Sequence, residues 1–361
     1  MTRLLVVDDS PLMRRVLSET FREAGGFEIE IARDGVEAIA KLHSFAPEVI
    51  TLDIHMPGMD GLACLDRIML EKPTPVVMVS ALTAQGANET LEAMALGAVD
   101  FIAKPSGAVS LAIEALAPAL IEKVRSAAQA RIPKTMRLAE RVRLRSAVPA
   151  AAPPVRRMPR RIPAAARLTG DGLVLVGTST GGPPALEALL TPLPADFPWP
   201  IVVAQHMPAS FTGALAKRLD RICALTISEV SRPVPLEPGN VYIGRGDADL
   251  VIARRASGLV AMAAPSSPDF TWHPSADRLV ASAMDLLAPE RLIGVLMTGM
   301  GADGAATMRD LHERGGRTIA EAEETAVVWG MPGALVRAGG ASSVVPLDRI
   351  AAELVASLPH K

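Results

Sequence analysis

Gly177-Thr178-Ser179-Thr180-Gly181-Gly182-Pro183-Pro184 places a serine hydroxyl in a glycine-flanked turn, after the apolar run Leu173–Val176 and before a helical stretch. A strand ending in such a turn exposes the central hydroxyl at the sheet edge, and the first N–H groups of the following helix face the same space. That suits a nucleophile beside an oxyanion hole. Glycine-rich turns also cradle phosphates, but G-x-G-x-x-G requires glycine where Ser179 stands, and the P-loop ends in Gly-Lys-Ser/Thr. On local sequence alone, hydrolase and nucleotide loop both stay open.

A serine nucleophile needs a base. The chain has six histidines. His43 and His55 lie far upstream and His360 is penultimate, which leaves His206, His273 and His312. His206, in Gln205-His206-Met207-Pro208, follows the apolar run Ile201–Ala204 and so also stands at a strand end. His312 lies in a helical stretch beside Glu313 and Arg314, where surface placement fits better. His273, in a loop rich in Pro and Ser, is the weaker competitor. The imidazole also needs an orienting carboxylate. Asp303, in Thr298-Gly299-Met300-Gly301-Ala302-Asp303-Gly304, follows the run Leu292–Met297; capping the helix from Ala305 would be its structural alternative. The order Ser179, His206, Asp303 differs from the Ser, Asp, His order of the α/β-hydrolases.

A second group of reactive residues stands upstream. Asp8 and Asp9 follow Leu4–Val7, and Asp53 ends Val49–Leu52. At the carboxyl edge of a parallel sheet these carboxylates converge, and three hard oxygen donors suit Mg²⁺. Ser80 and Lys104 follow the next two runs, where a hydroxyl and an ammonium can bind phosphoryl oxygens.

Positioning all of these at strand ends requires alternating strands and helices. Leu4–Val7, Val49–Leu52 and Val76–Val79 read as buried parallel strands, with Phe27–Ile31 and Ala98–Ile102 as weaker ones. Pro11–Ala24, Val36–Ser44, Gly61–Glu71 and Asn88–Leu96 read as helices. Further on, Leu173–Val176, Ile201–Ala204, Val241–Ile243 and Leu292–Met297 predict strands, and Pro184–Leu190, Phe211–Leu219, Asp277–Leu287 and Ala305–Arg314 predict helices. The fold class is α/β throughout: a first unit over 1–122, a connector over 123–170, and a second doubly wound, mostly parallel unit over 171–361. Within the connector, residues 131–167 hold six prolines and ten arginines but one acidic residue, Glu140. Such a segment is a linker. No aromatics interleave with its arginines to stack on bases, which argues against a nucleic-acid arm.

Composition narrows the class further. At 361 residues and 49% hydrophobic, two cores are affordable, and a 3% aromatic share makes them aliphatic and methionine-filled. A formal net charge of -2 calls for no polyanionic partner. Cys64 and Cys223, without a CxxC clip, read as buried thiols in a reducing compartment. The longest uncharged stretch, Phe197–Ala216, holds three prolines and His206, so it is no membrane span. The N-terminal apolar run is too short for a signal peptide. A cytoplasmic protein without membrane insertion is expected.

Residues 1–122 resemble a response-regulator receiver domain of flavodoxin-like fold, on Val7-Asp8-Asp9-Ser10, Leu52-Asp53-Ile54-His55-Met56-Pro57-Gly58-Met59-Asp60-Gly61, Val79-Ser80-Ala81 and Lys104-Pro105. The resemblance implies that Asp53 is the phosphoacceptor, that Asp8, Asp9 and Asp53 hold Mg²⁺ with the His55 carbonyl, and that Ser80 and Lys104 are the switch pair. From about residue 171 the chain resembles the catalytic domain of the chemotaxis protein-glutamate methylesterases, the CheB family. The carrying motifs are the Ser179, His206 and Asp303 segments above, His273-Pro274-Ser275-Ala276-Asp277 and Trp329-Gly330-Met331-Pro332.

This second resemblance implies a Ser179–His206–Asp303 triad with oxyanion N–H groups near Thr180 and Met300. The substrate would be a methylated chemoreceptor, with glutamines deamidated by the same chemistry and no cofactor for the ester step. The histidine kinase CheA would be the phosphodonor. The chain departs from the family at four places: His273 replaces the usual Arg, Asp249 a His, Gly244-Arg245-Gly246 an Ala-Pro-Gly, and Ala302 an Asn. These departures bear on substrate choice. Two other classes compete: a receiver-gated binding module, which a damaged Ser, His or Asp would favour, and a DNA-binding regulator, for which the second unit is too large and lacks a helix-turn-helix pattern.

Overall fold

The computed structural model describes residues 1–81, 83–104, 109–132, 172–256 and 258–359. The proline- and arginine-rich linker from residue 133 onward, Pro105 and His360 lie outside the described residues.

In the first unit, β1 (Thr2–Val7), β2 (Phe27–Ala32), β3 (Val49–Asp53), β4 (Val76–Ala81) and β5 (Asp100–Lys104) form one parallel sheet of order β2-β1-β3-β4-β5. Central strands buried on both faces need unbroken apolar runs, and Leu4, Leu5, Val6, Val49, Ile50 and Leu52 supply them. Helices α1 (Pro11–Ala24), α2 (Gly35–Ser44), α3 (Gly61–Glu71), α4 (Ala84–Leu96) and α5 (Val109–Ala128) cover the sheet. Ser10, Asp34, Asp60 and Thr83 cap the first four through side-chain oxygens, each worth about 1 kcal/mol. The Thr83 cap starts α4 four residues ahead of the expected Asn88. The strand expected over Ala98–Ile102 runs instead over Asp100–Lys104. Helix α5 was not anticipated and continues past residue 122.

In the second unit, the seven-stranded sheet has the order β15-β14-β13-β6-β7-β10-β8. The strands are β6 (Leu173–Thr178), β7 (Ile201–Gln205), β8 (Thr226–Val230), β10 (Asn240–Gly244), β13 (Leu292–Leu296), β14 (Arg317–Glu321) and β15 (Ser343–Val345), all paired in parallel. A small antiparallel sheet of β9 (Val234–Pro235), β11 (Asp249–Arg255) and β12 (Gly258–Ala264) stands apart. Helices α6 (Gly182–Leu190), α7 (Ala209–Ile222), α8 (Ala276–Met284), α9 (Ala305–Glu313), α10 (Met331–Arg337) and α11 (Leu347–Ala356) complete the unit.

Chain order reverses around β6: β7 lies on one side and β13 on the other. In open α/β sheets ligands bind at the carboxyl ends beside such a switch point. The first sheet reverses likewise between β1 and β3. No helix of the described residues is long and apolar enough to cross a membrane. Cys64 and Cys223 are both buried, and burial pushes their thiols up to about 12 and about 11.

One acid is buried behind the second sheet's switch point. The Glu321 carboxylate at the end of β14 accepts from Thr298 N (2.8 Å) and Thr325 Oγ1 (3.0 Å), and burial pushes its pKa from 4.5 up to about 7. The folded chain therefore binds an extra proton between those values. Stability from this group is fully present below the unfolded value and is lost as pH rises through the folded one, by roughly 3 kcal/mol. Glu321→Gln should flatten that slope and raise the melting temperature at pH 8 relative to pH 5, as read by thermal denaturation.

Candidate active site

The turn after β6 carries Ser179. Its N–H donates to Thr298 O (3.0 Å), and its carbonyl accepts from Gly182 N (2.8 Å) and Gln205 Nε2 (2.9 Å). Gly181, at φ 76°, closes the turn; a Cβ there would approach Val327 Cβ to 2.8 Å as well as straining the backbone. Gln205 also donates to the His206 carbonyl (3.1 Å) and accepts from Thr178 Oγ1 (2.6 Å), so one buried amide joins the serine and histidine loops.

His206 Nε2 lies 2.8 Å from Asp303 Oδ2. Asp303 does not cap the helix that follows it; Gly304 stands at the N-cap of α9. Its carboxylate instead accepts from the start of α8: Ser275 Oγ to Oδ1 (2.8 Å), Ala276 N to Oδ2 (2.6 Å) and Asp277 N to Oδ1 (3.1 Å). Burial alone would raise the Asp303 pKa. The hydrogen bond and charge of His206, with the helix N–H groups, outweigh it and hold the carboxyl below its usual range. An ionised Asp303 is acceptor-only, so Nε2 carries the proton of the neutral ring. The other ring nitrogen, Nδ1, is buried and has no hydrogen-bond partner among the described residues. Trp272 stacks on the ring, with centroids 5.5 Å apart and planes at 12°.

Ser179 and His206 line one cleft of about 370 Å³ together with Trp272 and His273. Neither Thr180, next to Ser179 in sequence, nor Met300 is among the residues lining it, and among the described residues neither backbone N–H has an acceptor. His312 sits at the end of α9, bonded to Ser342 Oγ (3.0 Å) and outside the cleft lining. His273 is paired through Nδ1 with Asp249 Oδ1 (2.8 Å).

The opposite wall of the cleft comes from the first unit: Phe101, Ile102 and Ala103 of β5 and Lys123 of α5. Thr180 Oγ1 donates to Asp100 Oδ2 in a short hydrogen bond, Gly181 N donates to Val99 O (3.2 Å), and Phe101 lies 4.4 Å, centroid to centroid, from Phe211. Lys123 Nζ holds the other Asp100 oxygen at 2.7 Å. That the first unit covers the Ser179 edge was expected; the residues that make the contact, Gln205's role and the Ser275 hydroxyl were not. Only Ser275 carried a local signal, as a helix N-cap before Asp277; the rest depend on pairings distant in sequence.

At the carboxyl edge of the first sheet, Asp8, Asp9 and Asp53 each offer a carboxylate oxygen within 4.8 Å of the others. This all-oxygen set fits a small hard divalent cation. Lys104 Nζ pairs with Asp8 Oδ2 (2.9 Å) and Asp53 Oδ2 (2.8 Å). Burial and the Asp8 charge raise the Asp53 pKa against the pull of Lys104. Burial opposes the Lys104 charge, but the two carboxylates prevail and hold its ammonium above its usual range. Ser80 Oγ donates to Gly86 O of α4 (3.2 Å).

Removing the Thr180 hydroxyl leaves the Asp100 carboxylate one donor short, at a cost of about 1.5–3 kcal/mol for a charged acceptor. Thr180→Val should therefore loosen the contact between the units and speed hydrogen exchange at the Gly181 N–H by about tenfold or more. Exchange across β1 and β3 should stay unchanged.

A family model described as CheB methylesterase matches residues 174–354, and one described as a response regulator receiver domain matches residues 4–115. The chain is 58% identical over 358 residues to a protein-glutamate methylesterase/protein-glutamine glutaminase 2 of Rhodopseudomonas palustris, covering 98% of each chain. It is 54% identical to a protein-glutamate methylesterase/protein-glutamine glutaminase 3 of Rhodospirillum rubrum, over 98% of this chain and 95% of that one. A Vibrio cholerae protein described in the same words is 43% identical, over 93% and 90%. A receiver domain over residues 4–115, followed by a Ser-, His- and Asp-bearing α/β unit, marks the chain as a member of the CheB methylesterase family.

Proposed function

We propose that the protein hydrolyses glutamyl methyl esters, and deamidates glutamines, on the cytoplasmic helices of a methylated chemoreceptor through Ser179, His206 and Asp303. One observation carries this reading. His206 stands in the cleft beside Ser179 with Nε2 committed to an ionised Asp303 and Nδ1 buried and, among the described residues, unpartnered. A buried ring nitrogen without a partner calls for an explanation, and a lone pair kept for the serine proton supplies one. The names of the relatives supply the substrate class.

Ser179 Oγ attacks the ester carbonyl and its proton passes to His206 Nδ1. Asp303 stabilises the imidazolium without taking the proton. The N–H groups of Thr180 and Met300 receive the oxyanion, each worth about 3–4 kcal/mol in comparable sites. His206 returns the proton to the leaving methoxide and methanol departs. Water, deprotonated by the same Nδ1, then attacks the acyl carbonyl; the Oγ–acyl bond breaks, His206 returns the proton to Ser179 Oγ, and a receptor glutamate leaves. With glutamine the leaving group is ammonia.

In this reading, residues 1–122, with α5 continuing to Ala128, form the receiver, the chain up to 170 connects, and 171–361 form the hydrolytic unit. Asp53 accepts a phosphoryl group from the kinase CheA. Asp8, Asp9 and Asp53 would hold Mg²⁺, which when bound offsets carboxylate repulsion and orients the phosphoryl donor. Lys104, now paired with Asp8 and Asp53, turns to the phosphoryl oxygens, and Ser80 is the switch hydroxyl. Because β5 walls the cleft, access to Ser179 depends on the receiver moving, and the receiver thus governs adaptation of the receptor signal.

Methanol release from a methylated receptor fragment tests both parts. It should rise about tenfold or more with beryllofluoride and Mg²⁺. Chelating the metal should remove that rise and leave the basal rate. Ser179→Ala should lose at least about a thousandfold under every condition. Release that survives Ser179→Ala would overturn the reading, and release indifferent to beryllofluoride would overturn receiver control alone.

A further inference from the structure

A second aspartate–histidine pair opens onto the same cleft. Asp249, at the start of β11, is buried, and it accepts from His273 Nδ1 (2.8 Å), Ser275 N (3.0 Å), Ser267 N (3.1 Å) and, in a short contact, Arg278 Nη1. Burial would raise its pKa, but these donors hold the carboxyl below its usual range. An ionised Asp249 can only accept, so Nδ1 of His273 is the donor and the ring's remaining polar atom is Nε2. His273 lines the cleft beside Ser179 and His206, and its side chain keeps 22% exposure.

The two pairs are tied together. Ser275 donates its N–H to Asp249 Oδ1 and its hydroxyl to Asp303 Oδ1 (2.8 Å). One buried residue thus fixes the anchor of both rings, and Trp272, next to His273 in sequence, packs flat on His206. His273 is held as firmly as the proposed base, yet the acyl chemistry derived above makes no use of it.

Resting on that reading of the cleft, we propose that His273 is a specificity residue. Its Nε2 accepts a hydrogen bond from the NH₂ of a substrate carboxamide, and so favours glutamine over the methyl ester. A carboxamide offers two N–H donors at the departing group and a methoxy group offers none, so a fixed acceptor there separates the two substrates. Sites built around one substrate hydrogen bond discriminate against an analogue that cannot make it. His273 makes or breaks no covalent bond; ammonia still leaves with the proton from His206.

The test compares the full-length chain, with Mg²⁺ and beryllofluoride, on one receptor fragment carrying either glutamine or the glutamyl methyl ester. Ammonia and methanol release give kcat/KM for each. In His273→Phe, which keeps a flat ring without an acceptor, the amide-to-ester ratio should fall about tenfold or more, with ester turnover within about threefold of the parent. His273→Gln, whose amide oxygen can accept, should restore much of the ratio; it also stands in should the Phe variant fail to fold, its ratio then expected near the parent's while His273→Leu loses it. An unchanged ratio, or equal losses on both substrates, overturns the assignment. Ser179→Ala separates the two levels. If it silences both reactions while the ratio ignores residue 273, only His273 loses its role. If either reaction survives it, or the parent releases neither product, the reading of the cleft falls and this inference with it.

Discussion

The Asp303 carboxylate accepts from His206 Nε2, Ser275 Oγ and the N–H groups of Ala276 and Asp277, and the geometry of the cleft follows from that convergence. Three donors come from the first turn of one helix, where unsatisfied N–H groups and the helix dipole favour a negative charge. The fourth comes from a loop two strands away. The carboxylate can meet all four only while β13, β6 and β7 lie side by side with their carboxyl ends level. Gln205 repeats the constraint from the other side, binding the Ser179 and His206 carbonyls with one amide. The sheet order therefore fixes the chemistry more directly than any single loop does.

The same carboxyl edge is a docking face for the receiver. Asp100 receives Thr180 and Lys123 on its two oxygens, while Phe101 packs on Phe211. Thr180 belongs at once to the nucleophile turn and to this contact. Under the proposed function, a substrate entering the cleft would compete with the receiver wall for one surface, and whatever stabilised one would weaken the other by the same free energy.

The grouping of Ser179, His206 and Asp303 at one sheet edge was legible because each stands just after an apolar run, and strand-end placement survives errors of a residue or two in the strand. The same logic located Asp8, Asp9, Asp53, Ser80 and Lys104. Short or amphiphilic strands were not legible: β9 has two residues, and β11 and β12 mix arginine, glycine and alanine, so neither shows a clean alternation. Asp303 illustrates a finer limit. A lone Asp before a helix reads as that helix's cap, yet its carboxylate serves the start of a different helix, a pairing that no local window contains. Asp249 with His273, and Thr180 with Asp100, join residues 24 and 80 positions apart.

Strand β5 is the outermost strand of the receiver sheet. With the units closed, Gly181 reaches the Val99 carbonyl just ahead of it and Phe211 covers Phe101. An uncovered edge strand with an aromatic beside it is a template for pairing with other chains. Any motion that clears the cleft also bares this edge. If access depends on that motion as proposed, it is bound to colloidal risk: an open form would be the more adhesive one, and a population held open for long would be removed by self-association as well as by reclosure.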